Sequence, residues 1–196
     1  MTPSEEKAAV RARLLAARTA LTEADRTKRD EALCDILAAS PLLSHASCVL
    51  LYAAVRGEID LSRVAEELSK AGIPLAYPIT ERGGVMHFRI STPSELVPGR
   101  YGIPEPPASA PPAPLDGHAV CLVPAVGFDR DGYRVGYGGG YYDRFLAGFS
   151  GISIGIADKP LDFPLPREEH DLSVDYLLTL DGIQKLRVTE AIRARM

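Results

Sequence analysis

At 196 residues, with 46% hydrophobic and 24% charged side chains, the chain has room for one sizeable core and the make-up of an ordinary globular domain. A net charge of −4 argues against a general nucleic-acid surface, and no apolar run is long enough to cross a membrane. Cys34, Cys48 and Cys121 are scattered in apolar contexts, which predicts buried free thiols and neither a zinc site nor a disulfide framework. With Glu5-Glu6 near the start and no apolar signal region, a cytoplasmic protein is expected. No internal repeat is present, and a single domain over residues 1–196 is the simplest organisation.

Thr2-Pro3-Ser4-Glu5 reads as a helix start, with Thr2 as cap and Glu5 closing a capping box. That helix runs to about Ala20, and Thr22 with Asp25 starts a second one reaching about Ala39. Lys7 and Arg11 lie four apart and share a face, as a solvated basic stripe or as a binding pair. Cys48 to Tyr52 (CVLLY) has the character of a buried strand. Beyond it, Asp60 caps a helix whose apolar stripe is Leu61, Val64, Ala65 and Leu68, ended by Gly72 and Pro74. Glu58 and Val55 thus fall in a strand-to-helix loop, where open α/β sheets collect ligand-binding groups.

Pro74 to Ile79 and Met86 to Ile90 read as strands around a turn at Gly83-Gly84. The stretch 104–114 is a proline-rich loop within the domain, extended and solvated from Pro107 to Pro114. His118 to Val123 returns as a strand, stopped by Pro124. Five glycines then fall in nine positions, from Gly132 to Gly136, Gly138, Gly139 and Gly140, and run into the start of a helix at Tyr141. Strand, glycine loop and helix start is an arrangement that holds phosphate. Neither common phosphate motif is present: Gly-Tyr-Tyr stands where a Walker loop needs Gly-Lys-Ser/Thr, and Tyr141 where a dinucleotide loop needs its last glycine. A flexible surface loop is the plainer reading, but Arg134, Asp143 and Arg144 bracket the run, which favours a functional one. Ile152 to Ala157 is another buried strand, Asp158 to Pro166 is proline-rich, and Tyr176 to Leu180 is the last strand.

The segment VPAVGFDRDGYRVGYGGGYYDRFL resembles the signature of the 5-formyltetrahydrofolate cyclo-ligase family, with Ala125 for a usual glycine and Val135 for a usual leucine. Three further stretches are similar to the family in order: Lys7-Ala8-Ala9-Val10-Arg11, Tyr101-Gly102-Ile103-Pro104-Glu105-Pro106, and His170-Asp171-Leu172-Ser173-Val174-Asp175. Lys159-Pro160 departs from it, where the family usually has a glutamine.

The resemblance implies a three-layer α/β/α sandwich around a largely parallel or mixed sheet. It also implies ATP- and magnesium-dependent conversion of 5-formyltetrahydrofolate to 5,10-methenyltetrahydrofolate, ADP and phosphate. Lys7, Arg11, Arg134, Gly136, Gly138, Gly139, Gly140 and Tyr142 would then hold ATP, and Glu58, Val55, Tyr137 and Tyr141 the folate. Arg134, Tyr141 and Asp143 would serve catalysis, and Asp143 with Asp175 would hold magnesium. Asp143 as a helix cap and Asp175 as a residue that merely starts a strand stay open, and His170 is a candidate for positioning. The expected partners are small molecules acting on a monomer, without nucleic acid or membrane. A non-catalytic folate- or nucleotide-binding relative, a phosphosugar isomerase or CoA-transferase-like enzyme, and an RNA-binding module are the alternatives; retention of Lys7, Arg134 and Asp143 counts against the first.

Overall fold

A computed structural model describes residues 2–186; Met1 and residues 187–196, which the expected single domain also includes, lie outside the described residues. Helix α1 (Pro3–Ala20) opens with the capping box foreseen at Thr2 and Glu5, and α2 (Glu23–Ala38) is capped by Thr22. A one-turn helix α3 (Pro41–Ser44) leads into β1 (Val49–Leu50), then α4 (Ser62–Lys70), β2 (Leu75–Thr80) and β3 (Met86–Ile90). A two-stranded ribbon, β4 (Val97–Pro98) with β5 (Pro104–Glu105), precedes β6 (Val120–Val123). A second ribbon pairs β7 (Gly127–Phe128) with β8 (Arg134–Val135), followed by α5 (Tyr141–Ala147), β9 (Ile152–Ile156), β10 (Tyr176–Thr179) and β11 (Gly182–Lys185).

Seven strands form the main sheet in the order β11-β10-β9-β6-β1-β2-β3. The inner pairings β10·β9, β9·β6, β6·β1 and β1·β2 are parallel, and the outer ones at β11 and β3 are antiparallel. On one face, Val49, Leu51, Leu75, Leu122 and Ile154 pack under Leu33 and Leu37 of α2 and Val64 and Leu68 of α4. On the other, Leu50, Cys121, Val123 and Leu177 pack against Phe88 and the inner side of α5. The Phe145 ring lies 4.8 Å from Phe88 and 5.2 Å from Phe149. The layered α/β class is therefore as expected, with one layer much thinner than the other. All three cysteines are buried free thiols, and no helix among the described residues is long and apolar enough to cross a membrane.

Several local expectations need correction. Asp60 is not the cap residue of α4: the helix begins at Ser62, and the Asp60 carboxylate instead accepts the Ser62 N–H at 2.8 Å just before it. Tyr176 does not open the last strand, because β11 turns back along β10 and covers that edge. The proline-rich loop is extended but only partly solvated. Ile90 N–H donates to Pro111 O and Ala113 N–H to Phe88 O, so the loop covers the outer edge of β3. The packing of helix α1 is one that its own sequence does not foretell. Its Val10, Leu14 and Leu15 pack over Val126, Val135 and Leu165, at the carboxyl ends of the strands.

Gly155 on β9 packs closely beneath the β7–β8 ribbon. A Cβ there would stand 2.7 Å from Phe128 Cε1, and Phe128 is fully buried. Gly155→Ala should therefore force the ring aside and lower stability by about 1–3 kcal/mol, the usual range for overpacking. Urea denaturation checks this; an unchanged midpoint would mean that the ring yields freely.

Candidate functional site

The strand order extends from β1 to both sides, with β2 on one and β6 on the other, both parallel to it. At such a reversal the loops after neighbouring strands splay apart, opening a crevice at the carboxyl ends. A cavity of about 510 Å³ lies there, lined by the loop after β1 (Tyr52 to Glu58), the end of β2 (Pro78, Thr80), Pro124-Ala125 after β6 and the glycine loop. Lys7 and Arg11 of α1 and the segment Glu168 to Asp171 close it. The fold thus brings together Lys7, Arg11, Val55, Glu58, Arg134, Gly136, Tyr137, Gly138, Gly139, Gly140, Tyr141, Tyr142 and Asp143.

One end is basic. Arg134 on β8 is buried, and its Nη2 donates to Asp143 Oδ1 at 2.6 Å while Nη1 donates to Leu172 O at 2.9 Å. Burial pushes the guanidinium down from its ordinary value, and the Asp143 charge opposes that shift. Asp143 sits in the first turn of α5 but makes no capping bond; Gly140 takes the cap position at φ +64. The helix-cap reading of Asp143 therefore fails, and its second oxygen, Oδ2, has no partner among the described residues.

The glycine loop is held by its carbonyls. Arg11 Nε donates to Gly136 O at 2.5 Å, and Arg144 donates to Gly139 O. The N–H groups of Gly138, Gly139 and Gly140 have no partner among the described residues. Gly138 and Gly140 carry φ of +93 and +64, which side chains rarely tolerate. Such a loop presents a concave row of donors suited to an anion.

Lys7 is no solvated stripe. It is buried, and its Nζ lies 2.5 Å from Asp171 Oδ2 and 3.2 Å from Glu168 Oε2. These partners stand 164 and 161 residues away, so no spacing in the sequence could reveal them. Glu168, His170 and Asp171 also bring ligand-type atoms within 4.8 Å of one another, but Lys7 already supplies the positive charge to two of them.

The other end is apolar and acidic. Glu58 Oε2 accepts the Val55 N–H at 3.1 Å across a turn in which Arg56 and Gly57 both have positive φ. Burial raises the Glu58 pKa, opposed by that hydrogen bond and by Arg18 and Arg56. Arg18 donates to the Tyr137 hydroxyl at 3.3 Å, and Arg56 stands 5.5 Å from the Tyr137 ring centroid. Tyr142 lies between the two ends. Burial, and then the neighbourhood of Cys121, Glu58 and Tyr52, pushes its phenol well above the ordinary range, so it remains a neutral donor. Tyr141 reaches across the opening to Glu81 O at 3.3 Å and to the Tyr101 hydroxyl at 3.5 Å.

Asp175 is the expected site residue that the fold does not bring in. It lies outside the cavity lining, where its carboxylate accepts the Ser153 N–H at 2.9 Å and the Ser153 hydroxyl at 2.8 Å. These bonds tie the start of β10 to β9. Residues that sequence reasoning passed over include Asp171, Glu105 and Arg18. Glu105 accepts the Thr80 N–H and hydroxyl at 3.1 and 2.8 Å. Only Asp171 and Glu105 carried a signal, each as part of a short recognisable stretch.

The sequence profile of the 5-formyltetrahydrofolate cyclo-ligase family matches residues 3–180. A 5-formyltetrahydrofolate cyclo-ligase of Mycolicibacterium smegmatis is 31% identical, over 92% of this chain and 97% of that protein. One from Escherichia coli is 30% identical, over 83% and 93%. Among solved structures, the 5,10-methenyltetrahydrofolate synthetase of Aquifex aeolicus is similar at a TM-score of 0.81 and 32% identity, covering 93% of each chain. The synthetase of Mycoplasma pneumoniae shares the fold at a TM-score of 0.72 and 24% identity, covering 88% of this chain and 98% of that one.

The buried carboxylate gives a pH prediction. Because the folded-state pKa of Glu58 is raised, its contribution to stability is greatest below the unfolded carboxylate range and is lost as pH rises through the folded value. Glu58→Gln should thus gain stability over the wild type toward neutral pH, and the gap should shift against the variant as pH falls through the carboxylate range. Thermal melts across that window check it; a difference that does not vary with pH would contradict it.

Proposed function

Because the chain belongs to the 5-formyltetrahydrofolate cyclo-ligase family, we propose that the cavity at the β1/β6 reversal takes both substrates, the formyl-folate at its Glu58 end and the ATP phosphates at its Arg134 end. The activity itself is that of an ATP-dependent cyclo-ligase acting on 5-formyltetrahydrofolate. The observation that carries the division is the polarity of this one cavity, with a carboxylate at one end and a guanidinium beside unpaired glycine N–H groups at the other.

A formamide oxygen is a poor leaving group. In the proposed sequence it attacks the γ-phosphorus of ATP and ADP departs. The neighbouring secondary amine adds to the activated carbon, loses its proton and closes the five-membered ring, and phosphate leaves with the former formyl oxygen. Such chemistry needs alignment and charge neutralisation more than an enzyme nucleophile. Glu58, with Val55 and Tyr137 beside it, accepts the paired N–H groups of the pterin edge. Tyr141, at the opening, closes over the folate, and Tyr142 offers a neutral hydroxyl where the two substrates meet. Lys7, Arg11, Arg134 and the N–H groups of the glycine loop from Gly136 to Gly140 hold the phosphates.

The Asp143 carboxylate fits magnesium: Oδ2 is unpaired among the described residues, and that ion favours one or two carboxylates completed by phosphate oxygens and water. When bound, magnesium would neutralise phosphate charge. Asp175, held at the β9–β10 edge, is not assigned to it here.

Purified protein given ATP, magnesium and 5-formyltetrahydrofolate should develop the methenyl chromophore with one ADP released per product. Equal ATP hydrolysis without the folate would contradict the reading. Within it, Glu58→Gln should weaken folate binding about ten-fold or more, since a charge-assisted hydrogen bond contributes roughly 1.5–3 kcal/mol. Calorimetry with ATP alone should show little change in that variant; loss of ATP binding with the folate retained would reverse the two ends.

A further inference from the structure

Two of the cations assigned to the phosphate end come from distant parts of the chain, Lys7 from α1 and Arg134 from β8, yet both are held by adjacent residues of one loop. Asp171 Oδ2 takes the Lys7 ammonium at 2.5 Å and the N–H of Glu168 at 2.6 Å. The next residue, Leu172, gives its carbonyl to Arg134 at 2.9 Å and turns its N–H toward Asp143 Oδ1 at 3.5 Å. We infer that Asp171 is a positioning residue for the ATP phosphates, acting through Lys7, and that the 168–172 loop is the frame on which Lys7, Arg134 and Asp143 are registered. The inference rests on the assignment of Lys7 to the phosphates.

Stability alone does not account for this pair. The Lys7 and Asp171 side chains are 11% and 12% exposed. Burying two charges costs desolvation that their attraction scarcely repays, and an apolar pair would hold α1 as well or better. What a buried carboxylate adds is direction. A lysine carries four rotatable carbons and loses about 2 kcal/mol of rotamer freedom when fixed. Asp171 and Glu168 use two of its three ammonium protons and hold the group at the cavity wall before any phosphate arrives. Misplacing such a group by about 1 Å is enough to lose up to roughly a hundred-fold in rate.

The test is steady-state kinetics of the full chain with both substrates varied. Asp171→Asn should raise the KM for ATP about ten-fold or more, with the KM for 5-formyltetrahydrofolate unchanged within about two-fold. Asp171→Glu, which keeps the charge on a longer arm, should recover part of that loss. In Lys7→Met the Asp171→Asn change should add little, because its target is gone. If Asp171→Asn fails to fold, Asp171→Glu alone carries the test through its ATP-selective rise in KM. A rise in both KM values together, or a full loss that adds to that of Lys7→Met, would reduce Asp171 to a structural ion pair and overturn the inference. If Lys7→Met raised the KM for ATP while Asp171→Asn did not, positioning by Asp171 would fall and the phosphate assignment would stand. If Lys7→Met left the KM for ATP unchanged, both would fall.

Discussion

A guanidinium inside a protein must be neutralised and its donors must be met, and Arg134 imposes that requirement on everything around it. Removing one partner of a buried ion pair leaves an uncompensated charge, a loss of roughly 3–5 kcal/mol. Asp143 answers the charge from α5 and Leu172 answers a second donor from the loop before β10. The chain must therefore travel from β8 to the first turn of α5 and return its carboxylate to the residue it has just left. Gly136 to Gly140 make that return possible, two of them at positive φ. The loop that results has two of its carbonyls engaged, Gly136 O by Arg11 and Gly139 O by Arg144, while the N–H groups of Gly138, Gly139 and Gly140 have no partner among the described residues.

The second constraint is topological. Placing β6 and β2 on opposite sides of β1 opens the sheet at its carboxyl edge, and every group assigned to substrate is delivered there. Glu58 comes from the β1–α4 loop and the cations of the other end from β8 and α1, while α1 and the glycine loop serve both ends, through Arg18 and Tyr137 at one and Lys7, Arg11 and the glycine N–H groups at the other. Helix α1 is the least expected part of this design. It acts as a cover whose Lys7 and Arg11 reach inward, with Val10 and Leu14 as its packing face.

Local structure was largely legible in the sequence because local rules govern it. The Thr2 capping box, the Leu61–Leu68 stripe and the Gly83-Gly84 turn each depend on neighbours within a few residues. So does the glycine loop, which its run of glycines between Arg134 and Asp143 marks in the sequence. What could not be read was pairing across the chain. Lys7 with Asp171, Arg134 with Leu172 and Pro111 with β3 are set by tertiary packing, which leaves no period or spacing behind. Asp175 shows the same limit from the other side: nothing in its short stretch announced that its carboxylate accepts from both the N–H and the hydroxyl of Ser153.

The central claim is that the formyl oxygen and the γ-phosphorus meet in this one cavity. Turnover of 5-formyltetrahydrofolate labelled with oxygen-18 in the formyl group tests it most directly. The account predicts that each inorganic phosphate released carries the labelled oxygen, read by mass spectrometry of the phosphate. Unlabelled phosphate, with the oxygen-18 recovered in water, would mean that ATP is hydrolysed apart from the folate, and would contradict it.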